Sequence, residues 1–375
     1  MFLFKIIMEI LYKNAVICYG GKKYKANILV ADGKIKKIIT GATLPRAQKN
    51  IDLKNNIVTT PFVDTHIHGS YGYGVDSTNP NALLNLSLAL KKQGVYAFCP
   101  TIFTMPLNKT LTALKNFSAV IGKEKGAKII GFHLEGPFIS KNRLGFMRKE
   151  DVQEISLPVL KKLYAAAQGK IVSMTVAPEV KNLNILVNFA KKHNILLQAG
   201  HTSATYTEML NGCKKGITHA THLYNAMSGF HHRDLGAVGA VFYIKDFSAE
   251  IIADGVHSSK EAVQLFLRQK MPNKVFLITD ALTPTGKKEG FSNGQKVILK
   301  GGVFVRKEDN VIAGSALTML KAVQNSVKWG YPLEFALMAA STNPAKRFGL
   351  NLAIKAGQKA NFIVLDKKTL SLKNF

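Results

Sequence analysis

The sequence predicts an α/β protein: a (β/α)8 barrel carrying a small β-domain made from both ends of the chain. Three observations point there. Eight short apolar runs alternate with helical stretches through the middle of the chain, and runs of that kind, buried on both faces, belong to parallel sheets. The polar residues of those runs gather at their C-terminal ends, where a barrel builds its active site. The two ends of the chain read instead as strands rich in Ile and Val, punctuated by turns. A doubly wound open sheet is the alternative arrangement of the same units.

Taken in order, residues 9–59 hold "NAVICYG", "KANILVADGKIKKII" and "IDLKNNIVT", with turn signals at Gly20-Gly21 and Asp32-Gly33. They are expected to form the N-terminal part of the β-domain. The barrel is expected over 60–354. Its strands fall in "NIVTTPFVDTHIHG", "GVYAFCPTIF", "KIIGFHLEG", "KIVSMTVAPE", "NILLQAGHT", "GITHATHLYN", "SAEIIADGVH" and "KVFLITDA". Helical segments such as "NALLNLSLALKKQG", "LPVLKKLYAAAQ", "LNILVNFAKKH" and "SSKEAVQLFLRQK" separate them. Residues 285–312, "TGKKEGFSNGQKVILKGGVFVRKEDNVI", break the rhythm and read as β-hairpins inserted after the eighth strand. "ALTMLKAVQNSVKW" and "PLEFALMAAST" return to helix. Residues 355–375, with "GQKANFIVLD", supply the rest of the β-domain and bring the termini together.

Composition excludes several classes. Hydrophobic residues make up 47% of 375, enough for a sizeable core. The net charge of +28 raises the question of nucleic acid, but the basic residues are scattered in pairs such as Lys22-Lys23, Lys91-Lys92, Lys161-Lys162 and Lys191-Lys192. No dense stripe interleaved with aromatics forms. A solvated basic surface that attracts anionic metabolites is favoured, with no nucleic-acid partner. Cys18, Cys99 and Cys213 lie far apart with no C-x-x-C, so neither a disulfide framework nor a zinc ribbon is expected, and the setting should be reducing and cytoplasmic. The start "MFLFKIIMEIL" is too short for a span and lacks a small-residue cleavage site. It reads as neither signal peptide nor membrane segment, with Met8 an alternative start.

The strand ends carry the chemistry. His66 and His68 are two apart, so both rings face the same side of a strand and suit a divalent metal; hydrogen-bonded core histidines are the plainer alternative. Glu135 ends the third run, His201 the fifth and His222 the sixth. One carboxylate with two imidazoles makes an open site for zinc or iron. A lone buried carboxylate is costly unless it is paired or holds a metal. Asp280 closes the eighth run, where it can relay the proton of an activated water; a helix N-cap is the plainer use of Asp. His193 and His219 lie away from strand ends and read as structural.

Seven motifs in order, "FVDTHIHG", "GFHLEGPF", "AGHTSA", "THLYNAMS", "IIADGVH", "ITDA" and "AGSALTM", resemble the N-acetylglucosamine-6-phosphate deacetylases of the amidohydrolase superfamily over nearly the whole chain. The resemblance implies a (β/α)8 TIM-like barrel plus a small β-sandwich domain formed by the N- and C-terminal segments. It implies metal-dependent hydrolysis of the acetamide of a phosphorylated N-acetyl amino sugar, gluco or galacto, by a homodimer. Glu135, His201 and His222 match the metal ligands, and His66 and His68 match a second site that only some members keep, so one or two ions are implied. Asp280 matches the general base and acid. Asn225, Ala226, Arg233, His257 and the loop Ile312, Ala313 and Gly314 match substrate contacts, with Arg233 and His257 on the phosphate and Arg233 reaching a neighbouring subunit. One departure stands out. After "HLEGPF" such enzymes carry a lysine-rich loop ending in Gly-x-His, whose histidine polarises the amide carbonyl; here "ISKNRLGFM" places Met147 there, and methionine cannot donate that hydrogen bond. A cyclic-amide hydrolase or deaminase with a bridging carboxylated lysine is disfavoured, because "KIVSMTVAPE" has no lysine near its end.

Overall fold

A computed structural model describes residues 8–374; the reading of the first seven residues lies outside them. The eight expected strands are present, and each has its parallel partner. They are β1 (Phe62–Ile67), β2 (Val95–Ile102), β3 (Phe132–Glu135), β4 (Ile171–Val176), β5 (Leu196–Ala199), β6 (His219–Ala220), β7 (Ser248–Ile252) and β8 (Val275–Ile278). They pair in sequence order, β1 with β2 and on to β7 with β8. That order rules out the doubly wound sheet, whose strand order reverses at a switch point.

The seam between first and last strands is closed just beyond the strand ends. The Asp280 N–H donates to the His66 carbonyl at 2.9 Å and the His68 N–H to the Ala281 carbonyl at 3.0 Å. One turn deeper, the Thr279 hydroxyl donates to Asp64 Oδ2 at 2.6 Å, across 215 residues of chain. Burial pushes the Asp64 carboxyl up to about 7 against those hydrogen bonds.

Every residue of β1, β7 and β8 is buried, as the unbroken apolar runs require. Phe62, Phe98 and Phe132 lie in the core between barrel and helices. Each such ring contributes roughly 1.5–3 kcal/mol by leaving water. Side-chain caps set the helix starts: Asn79 for Pro80–Lys92, Ser259 for Lys260–Gln269 and Thr318 for Met319–Lys328. After β5, Thr205 and Glu208 form a reciprocal capping box that fixes where the helix Tyr206–Lys214 leaves the site.

The chain ends share one seven-stranded sheet. Ile363–Leu365 pairs antiparallel with Ile57–Thr59, which runs parallel to Glu9–Tyr19. The register of Glu9–Tyr19 slips between Tyr12 and Ala15, where Asn14 takes a left-handed φ of 55° and its N–H finds Asn27 Oδ1. A separate antiparallel sheet of four strands follows β8. It runs from Glu289 to Ser315, so the β insertion continues past residue 312, because Ile312–Ser315 pairs with the strand before it. Among the described residues no helix is long and apolar enough to cross a membrane, and Cys18, Cys99 and Cys213 are all free thiols.

Candidate active site

Six of the expected residues converge at the C-terminal mouth of the barrel. Glu135 is the hub. Its Oε1 lies 2.9 Å from His222 Nε2, 3.1 Å from His201 Nε2 and 3.6 Å from His66 Nε2; its Oε2 lies 3.4 Å from His68 Nε2. Asp280 Oδ1 stands 3.1 Å from His68 Nε2 and 3.4 Å from His66 Nε2. All six are buried.

The outer nitrogens of three imidazoles are committed. The Nδ1–H of His201 donates to the Arg143 carbonyl at 2.8 Å and that of His68 to the Thr101 carbonyl at 2.8 Å. His66 Nδ1 lies 3.3 Å from Glu250 Oε2. A ring that gives its Nδ1–H away presents the Nε2 lone pair to the site, which is how proteins orient metal-binding histidines. His66 Nε2 is buried with no hydrogen-bond partner. It stands near two carboxylates without the alignment of a hydrogen bond. A divalent cation fits this donor set. Two groups of ligand atoms lie close enough to hold one, His66 with His68 and Asp280, and His66 with Glu135 and His222.

Electrostatics agree. Burial alone would raise the Glu135 carboxyl, but His66 and the hydrogen bonds from His201, His222 and His68 hold it well below the usual range. Asp280 is likewise lowered by His68 and His66 against the pull of burial. Burial would depress His68, yet Asp280 and Glu135 raise it to about 9, and Glu135 raises His222. The site is therefore strongly cation-seeking, and protons on those rings stand where a metal's charge would stand.

The backbone is bent to bring these groups together. His201, His222 and Asp280 have φ values of 46°, 25° and 51°, in the left-handed region that L-residues seldom adopt. Each sits in the sharp turn by which a strand end leaves the barrel. Glu179 braces the first of these turns through the Thr202 hydroxyl and the Ser203 N–H.

Above the carboxylates lies a cavity of about 420 Å³. Of the residues matched to substrate contacts, Asn225, Ala226, His257, Ile312 and Ala313 line it. His257 is oriented by Asp254, whose Oδ2 lies 2.6 Å from its Nδ1. Gly314 does not line it; this residue packs against Leu282 and the Asp280 carbonyl, leaving no room for a Cβ. Arg233 does not line it either, and stands exposed beside Thr205, Tyr206 and His232 in a separate surface hollow. Met147 does line the cavity, but as part of an apolar wall with Phe103, Phe146 and Ala313.

Several residues of the site escaped the sequence reading. Asn142 and Arg143 line the cavity on the loop after Glu135, and Arg143 has no carboxylate within salt-bridge distance among the described residues. Phe103 stacks flat on His68, with ring centroids 3.5 Å apart and planes 4° from parallel. His133, one of the strand-end polar residues, is fully hydrogen-bonded to Ser173 and Thr175, and burial depresses it to about 3. It is a neutral core histidine.

A parallel barrel whose mouth gathers imidazoles and carboxylates under a substrate-sized cavity is the frame of a hydrolytic enzyme. The chain belongs to the amidohydrolase family, whose model matches residues 57–375. It is 32% identical over 352 residues to the N-acetylglucosamine-6-phosphate deacetylase of Bacillus subtilis, covering 90% of this chain and 88% of that one. It is 31% identical over 344 residues to the N-acetylgalactosamine-6-phosphate deacetylase of Escherichia coli O157:H7, covering 90% and 89%. The crystal structure of N-acetylglucosamine-6-phosphate deacetylase from Pasteurella multocida superposes with a TM-score of 0.88 at 28% identity, covering 97% of each chain.

Proposed function

We propose that this enzyme hydrolyses the acetamide of N-acetylglucosamine 6-phosphate, giving glucosamine 6-phosphate and acetate. The observation that carries the reading is the convergence of His201, His222, His66 and His68 on Glu135, with Asp280 beside them, at the floor of the cavity. Glu135, His201 and His222 would hold one divalent ion, zinc or iron; His66, His68 and Asp280 would hold a second. When bound, such an ion supplies Lewis acidity, polarising the acetyl carbonyl and lowering the pKa of water to about 7. Asp280 takes the proton of the attacking water and returns it to the amine as the C–N bond breaks. Met147 cannot donate to the carbonyl, so a bound cation would have to supply that polarisation.

His257 and Arg233 would bind the phosphate, the latter from the neighbouring subunit of a homodimer; Asn225, Ala226, Ile312 and Ala313 would position the sugar, with Gly314 serving only to let the loop pack on Leu282. Arginine suits a phosphate because its planar fork gives two parallel hydrogen bonds. The basic surface suits an anionic substrate, and the setting is cytoplasmic. The galacto epimer is the second reading, favoured by the similarity to a relative named for it. Acetate release from the two epimers, measured beside the metal content of the purified protein, tests the proposal. No release from either epimer by metal-replete protein would refute it.

A further inference from the structure

Behind the ligands, the barrel interior holds a carboxylate that the reaction above does not use. Glu250 sits on β7, completely buried. In an apolar strand a carboxylate is retained only if it is paired. Its Oε2 lies 3.3 Å from His66 Nδ1, and its Oε1 accepts from the Thr65 hydroxyl at 3.2 Å. His219 Nε2 stands 3.7 Å from Oε1, while His219 Nδ1 is tied to the Ser248 hydroxyl at 2.6 Å. Glu250 does not line the cavity, and of the six residues around Glu135 it contacts only His66, at the Nδ1 side. His66 is the residue common to both groups of ligand atoms, and its Nε2 is one of the buried nitrogens left without a hydrogen-bond partner among the described residues.

We infer that Glu250 is a positioning residue: it fixes His66 with its proton on Nδ1 and its Nε2 toward the site, and so sets the occupancy of the ion held with His68 and Asp280. The proposal rests on the metal-dependent reading above. It predicts an asymmetry, because an ion on Glu135 can draw on His201 and His222, imidazoles that Glu250 does not touch, whereas the other has only His68 and Asp280 besides His66. His201 is held by the Arg143 carbonyl instead. Loss of a carboxylate behind a ligand histidine weakens metal binding typically 10–100-fold.

The test is metal titration of the full chain with zinc, read as ions bound per chain and as two dissociation constants. Wild type should take two ions. Glu250→Gln keeps the shape and should bind the first ion as wild type does and the second roughly 10–100-fold more weakly. A merely structural role would lower the melting temperature without separating the two constants. Two ions bound with wild-type constants in E250Q would overturn the proposal. So would a wild type that saturates at one ion, a result that leaves acetate release, measured separately, to decide the deacetylase reading. Should E250Q fail to fold, nitrogen NMR of the histidines in zinc-loaded wild type decides: His66 should show a protonated Nδ1 and a metal-shifted Nε2. The reverse assignment would overturn it.

Discussion

Asp280→Asn tests the proton carrier of the reaction. Asp280 is 7% exposed, and its Oδ1 faces His68 at 3.1 Å and His66 at 3.4 Å. Asparagine keeps an oxygen at that position and tolerates the left-handed φ of 51° about as well as aspartate. The backbone bonds that close the barrel here are untouched: the residue's N–H to the His66 carbonyl, and its carbonyl from the Ser315 N–H at 2.8 Å. Losing the charge beside His68 and His66 should cost folding on the order of 1–3 kcal/mol, so a melting curve accompanies the kinetics. What disappears is the second carboxylate oxygen as a proton acceptor. A positioned general base and acid contributes about 10²–10⁴ in rate, or roughly 3–5 kcal/mol of barrier. We expect kcat for acetate release to fall by about 10³, with KM changed only a few-fold and the ion on Glu135, His201 and His222 retained, while the one held with His66 and His68 binds more weakly. Steady-state kinetics beside elemental analysis reads all three. A kcat within tenfold of wild type at equal metal content would refute the assignment of Asp280 as the proton carrier.

Further outcomes follow from other features. Chelation with EDTA should abolish acetate release, and zinc or ferrous iron should restore it; undiminished turnover by metal-stripped protein would dismiss the cation from the mechanism. Met147→His should raise kcat by up to about 10² if the carbonyl lacks a donor, at a stability cost on the order of 1–3 kcal/mol for placing an imidazole in the wall of Phe103 and Phe146. An unchanged kcat means the carbonyl is already fully polarised. Arg233→Ala should raise KM for the phosphorylated sugar at least tenfold, and mixing it with an Asp280→Asn chain should recover part of the activity by complementation across subunits; no recovery argues against a shared site. Burial holds His133 at about 3 and His219 at about 4, both below the ordinary 6.5. Between pH 6.5 and about 4 the unfolded chain binds more protons than the folded one, so stability is lost as pH falls through that window, by at most about 1.4 kcal/mol per unit per group. Asp64 and His68, raised to about 7 and about 9, act in the opposite sense, so the sign is checked by urea melts at pH 7 and pH 5 of metal-stripped wild type beside His133→Gln, whose difference isolates that imidazole.

The six residues that converge on the mouth were legible in the sequence because each lies at the end of an apolar run, and a barrel mouth gives eight such ends a common destination. The period-2 spacing of His66 and His68 gave their shared face without any knowledge of what lies opposite. Glu250 was legible in principle: a carboxylate inside "SAEIIADGVH", in a strand expected to be buried on both faces, demands a partner. That partner, however, comes from a strand 184 residues earlier, and no local pattern names it. The roles of Asn142, Arg143 and Phe103 depend on how irregular loops fold over the mouth, which turn chemistry alone does not dictate. Arg233 illustrates the opposite limit. Its match to a motif predicts a contact, yet within the single chain it stands outside the cavity.

The seam between β1 and β8 has a consequence for how activity is acquired. The backbone bonds joining residues 66–68 to residues 280–281 carry His66, His68 and Asp280 on their two sides, so the join that completes the cylinder also completes the reaction centre. Contacts of such sequence separation come late in folding, because the entropy of closing a long loop must be met before they reward it. A chain still lacking its eighth strand could fold much of the remaining sheet and stay catalytically silent. Turnover thus reports topological completion. In a pulse-refolding experiment it should emerge after the bulk of the helical signal, and it should be the first property lost when the cylinder opens.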